Sequence, residues 1–331
     1  METYEAKTVT GMRLQNSRKM KSRSSRKKNR VLSVLIGFEL FLFGCTMASL
    51  TACQKENNEK DITFVGSNTS HELISIFAEE FNKDHESIAV HSVGGGSERS
   101  IEKFLKGELL YLNSSRKLTE EEINSLEKME GVEVHEVIIG LDALAIIVNP
   151  RLCIHELTLQ ELTQIFEGKI TNWSEVGGAD WPIQVYGRTP SSGTYSFVKE
   201  KFVRSGFARS MVCFENPQDI VRKVKLDVNG IGYVDMASIS KKAHLPMDGI
   251  WPLSIKIEGA ASVSPFQMFE VLNGNYPLTR PLYQYISSKG NSKVKDFIFF
   301  ELSEKGQKII EKNGFLPLQA IHKTFNAENG F

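Results

Sequence analysis

The sequence predicts an α/β fold in two lobes, with mixed, mostly parallel sheets and a ligand cleft between the lobes. Three observations carry that expectation. Strand-like and helix-like segments alternate along most of the chain after residue 60, the pattern that builds a largely parallel sheet covered by helices. About 270 of the 331 residues follow a leader-like start, more than one core usually holds and a comfortable size for two. Three short segments rich in Ser, Gly and Thr also sit where helices should begin: GSNTS at 66–70, GGGS at 94–97 and RTPSSGT at 188–194.

The elements follow in order. Residues 61–65 read as a strand, and about 70–84 as a helix whose Leu73, Ile74, Phe77 and Phe81 form a buried stripe. Residues 88–93 are a second strand, and GGGS turns into a helix with Ile101, Phe104 and Leu105 inside. Residues 109–112 are a third strand and 119–129 a third helix, capped by Thr119 with Glu122 completing the box. Two apolar strands, 132–139 and 143–148, are then separated only by Gly140, Leu141 and Asp142. That nearly continuous extended stretch suits a crossover between lobes, with 61–140 plus 260–331 as lobe one and 141–259 as lobe two. Beyond it come a helix at 158–166, a loop at 168–178 bearing Trp173, a strand at 183–186 and a helix at 193–202. A helix at 217–227, a strand at 230–234, a turn-rich return at 273–281 and a strand at 282–286 follow, then two helices across 293–310 meeting near Ser303.

The start of the chain has another role. Lys19, Lys21, Arg23, Arg26, Lys27, Lys28 and Arg30 precede an apolar run over 31–50 that stops at Leu50-Thr51-Ala52-Cys53. A basic region, an apolar region and small residues before a cysteine read as a bacterial export leader. Leu-Thr-Ala-Cys resembles the lipobox, at which Cys53 is acylated and becomes the mature N-terminus; Cys45 is a second candidate, and a signal anchor is the other reading of the run. Residues 1–52 are then a lipoprotein signal peptide and 53–60 a polar tether to a cell-membrane anchor on the extracytoplasmic face.

Composition narrows the chemistry. The 40 basic and 40 acidic residues balance, but residues 1–52 hold ten of the basic and three of the acidic ones, leaving 30 against 37 and a net of −7. Nucleic acid is therefore not an expected partner. No Walker sequence, GxGxxG or GxSxG elbow occurs, and the seven histidines, His71, His85, His91, His135, His155, His244 and His322, show no metal-ligand spacing. No nucleophile has an evident base, so neither catalysis nor a cofactor or metal is expected. His71, one turn into the first helix, is either a surface residue or faces the cleft. Cys153 and Cys213 either pair or stay separate, and no disulfide framework exists.

A helix N-terminus offers unpaired N–H groups and a partial positive charge. One Ser/Gly/Thr start is only a cap, and three could be three ordinary caps. In an open α/β sheet, however, ligands bind beyond the carboxyl ends of strands, where these three lie. Two fall in the first lobe and one, with Arg188, in the second. Together they would hold an oxyanion without bulk positive charge.

From about residue 61 to 318 the chain resembles the phosphate-binding proteins of the bacterial phosphate ABC importer, PstS type, which are two-lobed solute-binding proteins of class II. The resembling pieces are GSNTS, GGGS, SSR at 114–116, LDALAIIVNP at 141–150 and LTLQELTQIFEGKITNWSEVGG at 157–178. VYGRTPSSGT at 185–194, NGIGYV at 229–234 and YPLTRPLY at 276–283 complete them. The resemblance implies a non-enzymatic periplasmic-binding-protein-like fold that captures inorganic phosphate and hands it to a permease and ATPase complex. It implies anion contacts from Ser67, Asn68, Thr69, Ser97, Arg188, Ser192, Gly193 and Thr194. Two departures stand out. Leu110 occupies the place of an acid in the family's third-strand segment, and Pro190 and Ser191 stand where an acid often steadies the arginine. Donors alone suit a fully ionised anion such as sulfate, whereas protonated phosphate needs an acceptor. Asp142 is a candidate acceptor, or a hinge residue bonded to backbone. A receptor without a transport role, or a homologue that has lost tight binding, is the rival to transport.

Overall fold

The computed structural model describes residues 61–85, 88–241 and 245–331. The expected leader, the tether with Cys53, and His244 lie outside those residues.

β1 (Ile62–Gly66) feeds α1 (Asn68–Asn82), whose Leu73, Ile74, Phe77 and Phe81 are buried as their spacing predicts. β2 (Val90–Gly94) leads into α2 (Ser97–Leu105), and β3 (Tyr111–Ser114) into α3 (Glu120–Glu127), capped by Thr119 with Glu122 closing the box. β4 (Val134–Val148), β5 (Glu156–Thr158) and α4 (Leu159–Phe166) follow. Next come β6 (Gln184–Arg188), α5 (Gly193–Lys201), β7 (Val212–Phe214), α6 (Pro217–Leu226) and β8 (Gly230–Asp235). The short strands β9 (Ser240–Lys241), β10 (Leu245–Pro246), β11 (Trp251–Pro252) and β12 (Ser254–Lys256) precede α7 (Met268–Leu272) and β13 (Thr279–Ser287). Three helices end the chain: α8 (Val294–Leu302), α9 (Glu304–Lys312), which Ser303 caps, and α10 (Ala320–Glu328).

The main sheet runs β2-β1-β3-β13-β4-β8-β6-β7, with β11 beside β4. β1 is parallel to β2 and β3, and β6 is parallel to β7 and β8. The middle is antiparallel: β13 against β3 and β4, and β4 against β8. Within this sheet parallel pairing is confined to the two outer groups of strands, where each βα step returns the chain to the same end of the sheet.

β4 is one strand of 15 residues, not two. Its first part, from Val134 to Ala143, pairs with β13, and its last five residues pair with β8. The expected break at 140–142 is absent because both halves find partners, and the irregularity is instead a bulge in the β13–β4 register between Leu282 and Tyr283. From Val137 onward every β4 residue is buried, which accounts for a nearly continuous apolar run with Asp142 as its one charged residue. A single strand therefore carries the sheet from the β1–β3 group into the β6–β8 group, the α/β architecture of a two-lobed binding protein. Apolar clusters lie on both groups. Phe64 of β1 packs with Phe77 and Phe81 of α1 and Phe297 of α8, and Tyr186 of β6 packs with Ile220, Val221 and Val224 of α6.

Candidate anion-binding site

β1, β2 and β6 end at the three Ser/Gly/Thr segments. After β1, the Ser67 N–H donates to Asn113 O on β3 at 2.9 Å, and the Ser67 hydroxyl caps α1 by accepting from Ser70 N at 3.3 Å. That hydroxyl also bonds the hydroxyl of Ser115, just past β3. Thr69 Oγ1 lies 3.5 Å from Asp235 Oδ2 at the end of β8. Asn68 does something different: its Oδ1 accepts from Gly95 N at 3.0 Å and its Nδ2 donates to Glu215 O at 3.1 Å. Its side chain ties the first two segments to the β7 end of the sheet.

After β2, Gly95 and Gly96 both donate to Gly66 O at 2.9 Å. Gly96 has φ +85°, and a Cβ there would come within 2.5 Å of Ser191 O, so the position needs glycine on both counts. Ser97 then starts α2, fully buried, with its hydroxyl accepting from Ser115 N at 3.2 Å. The Glu98 N–H reaches Ser191 O at 3.1 Å, which brings the GGGS and RTPSSGT segments into contact.

After β6, Arg188 is buried at 2% exposure. Its Nε donates to Phe214 O at 3.3 Å and its Nη2 to Glu215 O at 2.6 Å, leaving Nη1 outside these bonds. Burial pulls its pKa down, and Asp235 and Tyr233 oppose that; guanidinium stays charged regardless. Ser192 caps α5 by accepting from Thr194 N at 3.2 Å. A Cβ on Gly193 would lie 2.5 Å from Ser97 Oγ, so the start of α5 rests directly on the start of α2. The acid missing beside Pro190 and Ser191 has a substitute in Glu215. Its carbonyl holds Arg188, and its carboxylate accepts from Ser191 Oγ at 3.2 Å.

The structure adds a residue that the sequence reading passed over. Arg280, on β13, is as buried as Arg188. Its Nε and Nη2 donate to Asp142 Oδ2 at 3.0 and 2.8 Å, and Nη2 also donates to Thr194 Oγ1 at 2.9 Å. Its Nη1 lies 3.4 Å from Ser115 O, and its guanidinium sits 5.3 Å from the centre of the Phe197 ring. The available signal was an arginine inside the apolar stretch YPLTRPLY.

Asp142 is wholly buried; its Oδ2 bonds the Arg280 side chain, the Met236 backbone N–H lies close enough to favour its charged form, and its Oδ1 has no hydrogen-bond partner among the described residues. Burial and the nearby Asp235 raise its pKa to about 7 against the pull of Arg280. Leu110 requires a correction. It is 38% exposed, precedes β3, and lines a separate groove with Leu109 and Met129. A carboxylate at that position would not reach the Ser67–Ser97 cluster; the residue of that segment that does is Ser115. His71 is half-buried, with Nδ1 3.1 Å from Ser92 Oγ, and faces a cavity of about 320 Å³ shared with Thr69 and Asp235. Cys153 and Cys213 are both free and exposed.

Hydroxyls, helix N-termini and two buried guanidinium groups thus converge with two buried carboxylates, an arrangement suited to an oxyanion that carries a proton. Comparison with known proteins agrees. Residues 51–305 match the family model of the PBP superfamily domain. The phosphate-binding protein PstS of Pseudomonas aeruginosa is 31% identical over 278 residues, covering 78% of this chain and 84% of that protein. The chain belongs to the PstS-type family of the PBP superfamily. PstS of Staphylococcus saprophyticus is 30% identical over 297 residues, covering 84% of this chain and 89% of that one. Among solved structures, a substrate-binding protein assigned to phosphate ABC transport in Clostridium perfringens, with phosphate bound, matches at 26% identity. Its TM-score is 0.68, over 78% of this chain and 100% of that one. In this PstS-type chain the three Ser/Gly/Thr starts therefore lie together, with Ser115 and Arg280 joining the residues expected from the sequence.

Proposed function

We propose that this protein captures inorganic phosphate between its lobes and delivers it to an ABC importer, by lobe closure and without chemistry of its own. The anion contacts are Ser67, Thr69, Ser97, Arg188, Ser192, Gly193 and Thr194, with Asn68 contributing as a strut. Residues 61–140 plus 260–331 form one lobe and 141–259 the other, hinged through β4. Acylation at Cys53 anchors the protein on the extracytoplasmic face, and the closed lobes are read by the permease and its ATPase.

One observation carries the choice of anion: buried acceptors sit beside the buried donors. Each hydrogen bond to a charged acceptor contributes about 1.5–3 kcal/mol, and donors alone would serve sulfate equally well. Asp142 Oδ1, which has no hydrogen-bond partner among the described residues, offers protonated phosphate an acceptor that sulfate cannot use. Calorimetry of the full chain in detergent at neutral pH tests this. Phosphate should bind tightly and stay bound in a large excess of sulfate. Displacement by sulfate would favour a general oxyanion binder, and no binding of either would favour an orphan homologue.

A further inference from the structure

Arg116 follows Ser115 and holds two carboxylates at once. Its Nε and Nη2 donate to Glu98 at 2.7 and 2.6 Å, and its Nη1 and Nη2 donate to Glu122, both at 2.8 Å. Nη1 also donates to Lys117 O at 2.9 Å. The cluster is mostly shielded, with Arg116 14% exposed, Glu98 25% and Glu122 19%. Only a planar fork can serve two carboxylates in this way.

The location is what matters. Glu98 is the neighbour of Ser97, and its N–H makes the contact with Ser191 O. Glu122 belongs to the capping box of α3, with Oε2 accepting from Thr119 N at 2.8 Å. The Arg116 backbone turns back on Ser114, with its N–H 3.2 Å from Ser114 Oγ and its carbonyl accepting from that hydroxyl at 2.6 Å. This turn presents Ser115 to Ser67 and Ser97. Both carboxylates lie in first helical turns, where the helix dipole favours negative charge. Removing Arg116 would therefore leave α2 and α3 standing and take the cluster beside the site from one net negative charge to two.

We propose that Arg116 is a positioning residue for anion capture: it offsets one of the two negative charges of Glu98 and Glu122 and fixes the Ser97–Ser115 jaw without touching the anion. This rests on the phosphate reading above. Arg116→Gln in the full chain should bind phosphate about tenfold more weakly at low salt. The loss should shrink as potassium chloride screens the carboxylates. Adding Glu98→Gln and Glu122→Gln to that variant should restore affinity to within about twofold of wild type. The Glu98→Gln/Glu122→Gln pair with Arg116 intact is the control should Arg116→Gln not fold, and it should bind phosphate more tightly than wild type. Wild-type affinity in Arg116→Gln, a loss that neither salt nor the two glutamines relieve, or no gain in the double variant would overturn the proposal. A wild-type protein that takes up no phosphate would overturn the phosphate reading and this proposal with it.

Discussion

Arg280 and Asp142 stand directly opposite each other across the β13–β4 pair, and both Nε and Nη2 of the arginine bond the same carboxylate oxygen. This one-sided grip leaves the other carboxylate oxygen without a hydrogen-bond partner among the described residues and lets Nη2 reach Thr194 as well. The pair lies where β4 exchanges one partner for the next. A single guanidinium thus meets the Ser115 carbonyl, the crossing strand and the start of α5.

At pH 8, above the raised pKa of Asp142, replacing Asp142 with Asn leaves Arg280 charged and buried without its ion-pair partner. Breaking a buried ion pair from one side costs about 3–5 kcal/mol, so urea denaturation should show a loss of that order. Saturating phosphate should recover part of it, because the bound anion replaces the missing negative charge and ligand binding stabilises the native state by mass action. A variant as stable as wild type without ligand would remove the pair from any role in holding the crossing strand.

Arg188→Lys separates charge from geometry. Lysine keeps a point charge but cannot hold the Phe214 and Glu215 carbonyls while presenting a further N–H. Loss of a pre-aligned donor pair worth about 3–4 kcal/mol corresponds to roughly 100- to 1000-fold weaker phosphate binding. Near-UV circular dichroism should be unchanged. Calorimetry showing less than a tenfold change would place the anion's principal cation at Arg280 instead.

The chain announced its helix starts more clearly than its partners across the sheet. GSNTS, GGGS and SSGT could be read because glycine and hydroxyl residues at strand ends have local geometric causes. The stripe of Leu73, Ile74, Phe77 and Phe81 was equally local. Arg280 was not legible, since its role depends on lying opposite Asp142, 138 positions away. Leu110 was misleading for a related reason. Matching the family's third-strand segment suggested a place in the site, but the residue sits outside β3 and its side chain is exposed. The division of β4 failed because glycine and aspartate usually punctuate a strand, and here both are buried between paired neighbours.

Gly193→Ala tests closure. The added methyl would fall 2.5 Å from Ser97 Oγ and 2.8 Å from Ser97 Cβ, closer than real Cβ contacts allow. The start of α5 must then stand off from the start of α2. The backbone there needs no positive φ, so the fold itself should tolerate alanine. Expected are a melting temperature near that of wild type without ligand, strongly weakened phosphate binding, and no phosphate-induced decrease in the radius of gyration in solution scattering. Normal compaction on adding phosphate would show that the two segments need not touch.

The last prediction concerns a buried acid away from the site. Glu301 is fully buried on α8, and its Oε1 accepts from Gln284 Nε2 at 3.1 Å, while Glu301 Oε2 and Gln284 Oε1 have no partner among the described residues. A proton on Glu301 would let acid and amide bond reciprocally, which accounts for both atoms. Burial drives its pKa well above the ordinary value of 4.5, and the Gln284 bond only partly opposes this. The folded state therefore holds a proton that the unfolded chain gives up. The stabilisation is complete below about pH 4.5 and is lost as pH rises toward the folded value, by up to about 1.4 kcal/mol per pH unit. Asp142 bends the curve in the same direction, so the Glu301 part is read as the difference between wild type and Glu301→Gln. The glutamine variant keeps the reciprocal bond without a titrating proton. Its advantage over wild type in urea denaturation should grow from pH 5 to pH 8, and parallel stability curves for the two proteins would show that Glu301 does not change protonation on folding.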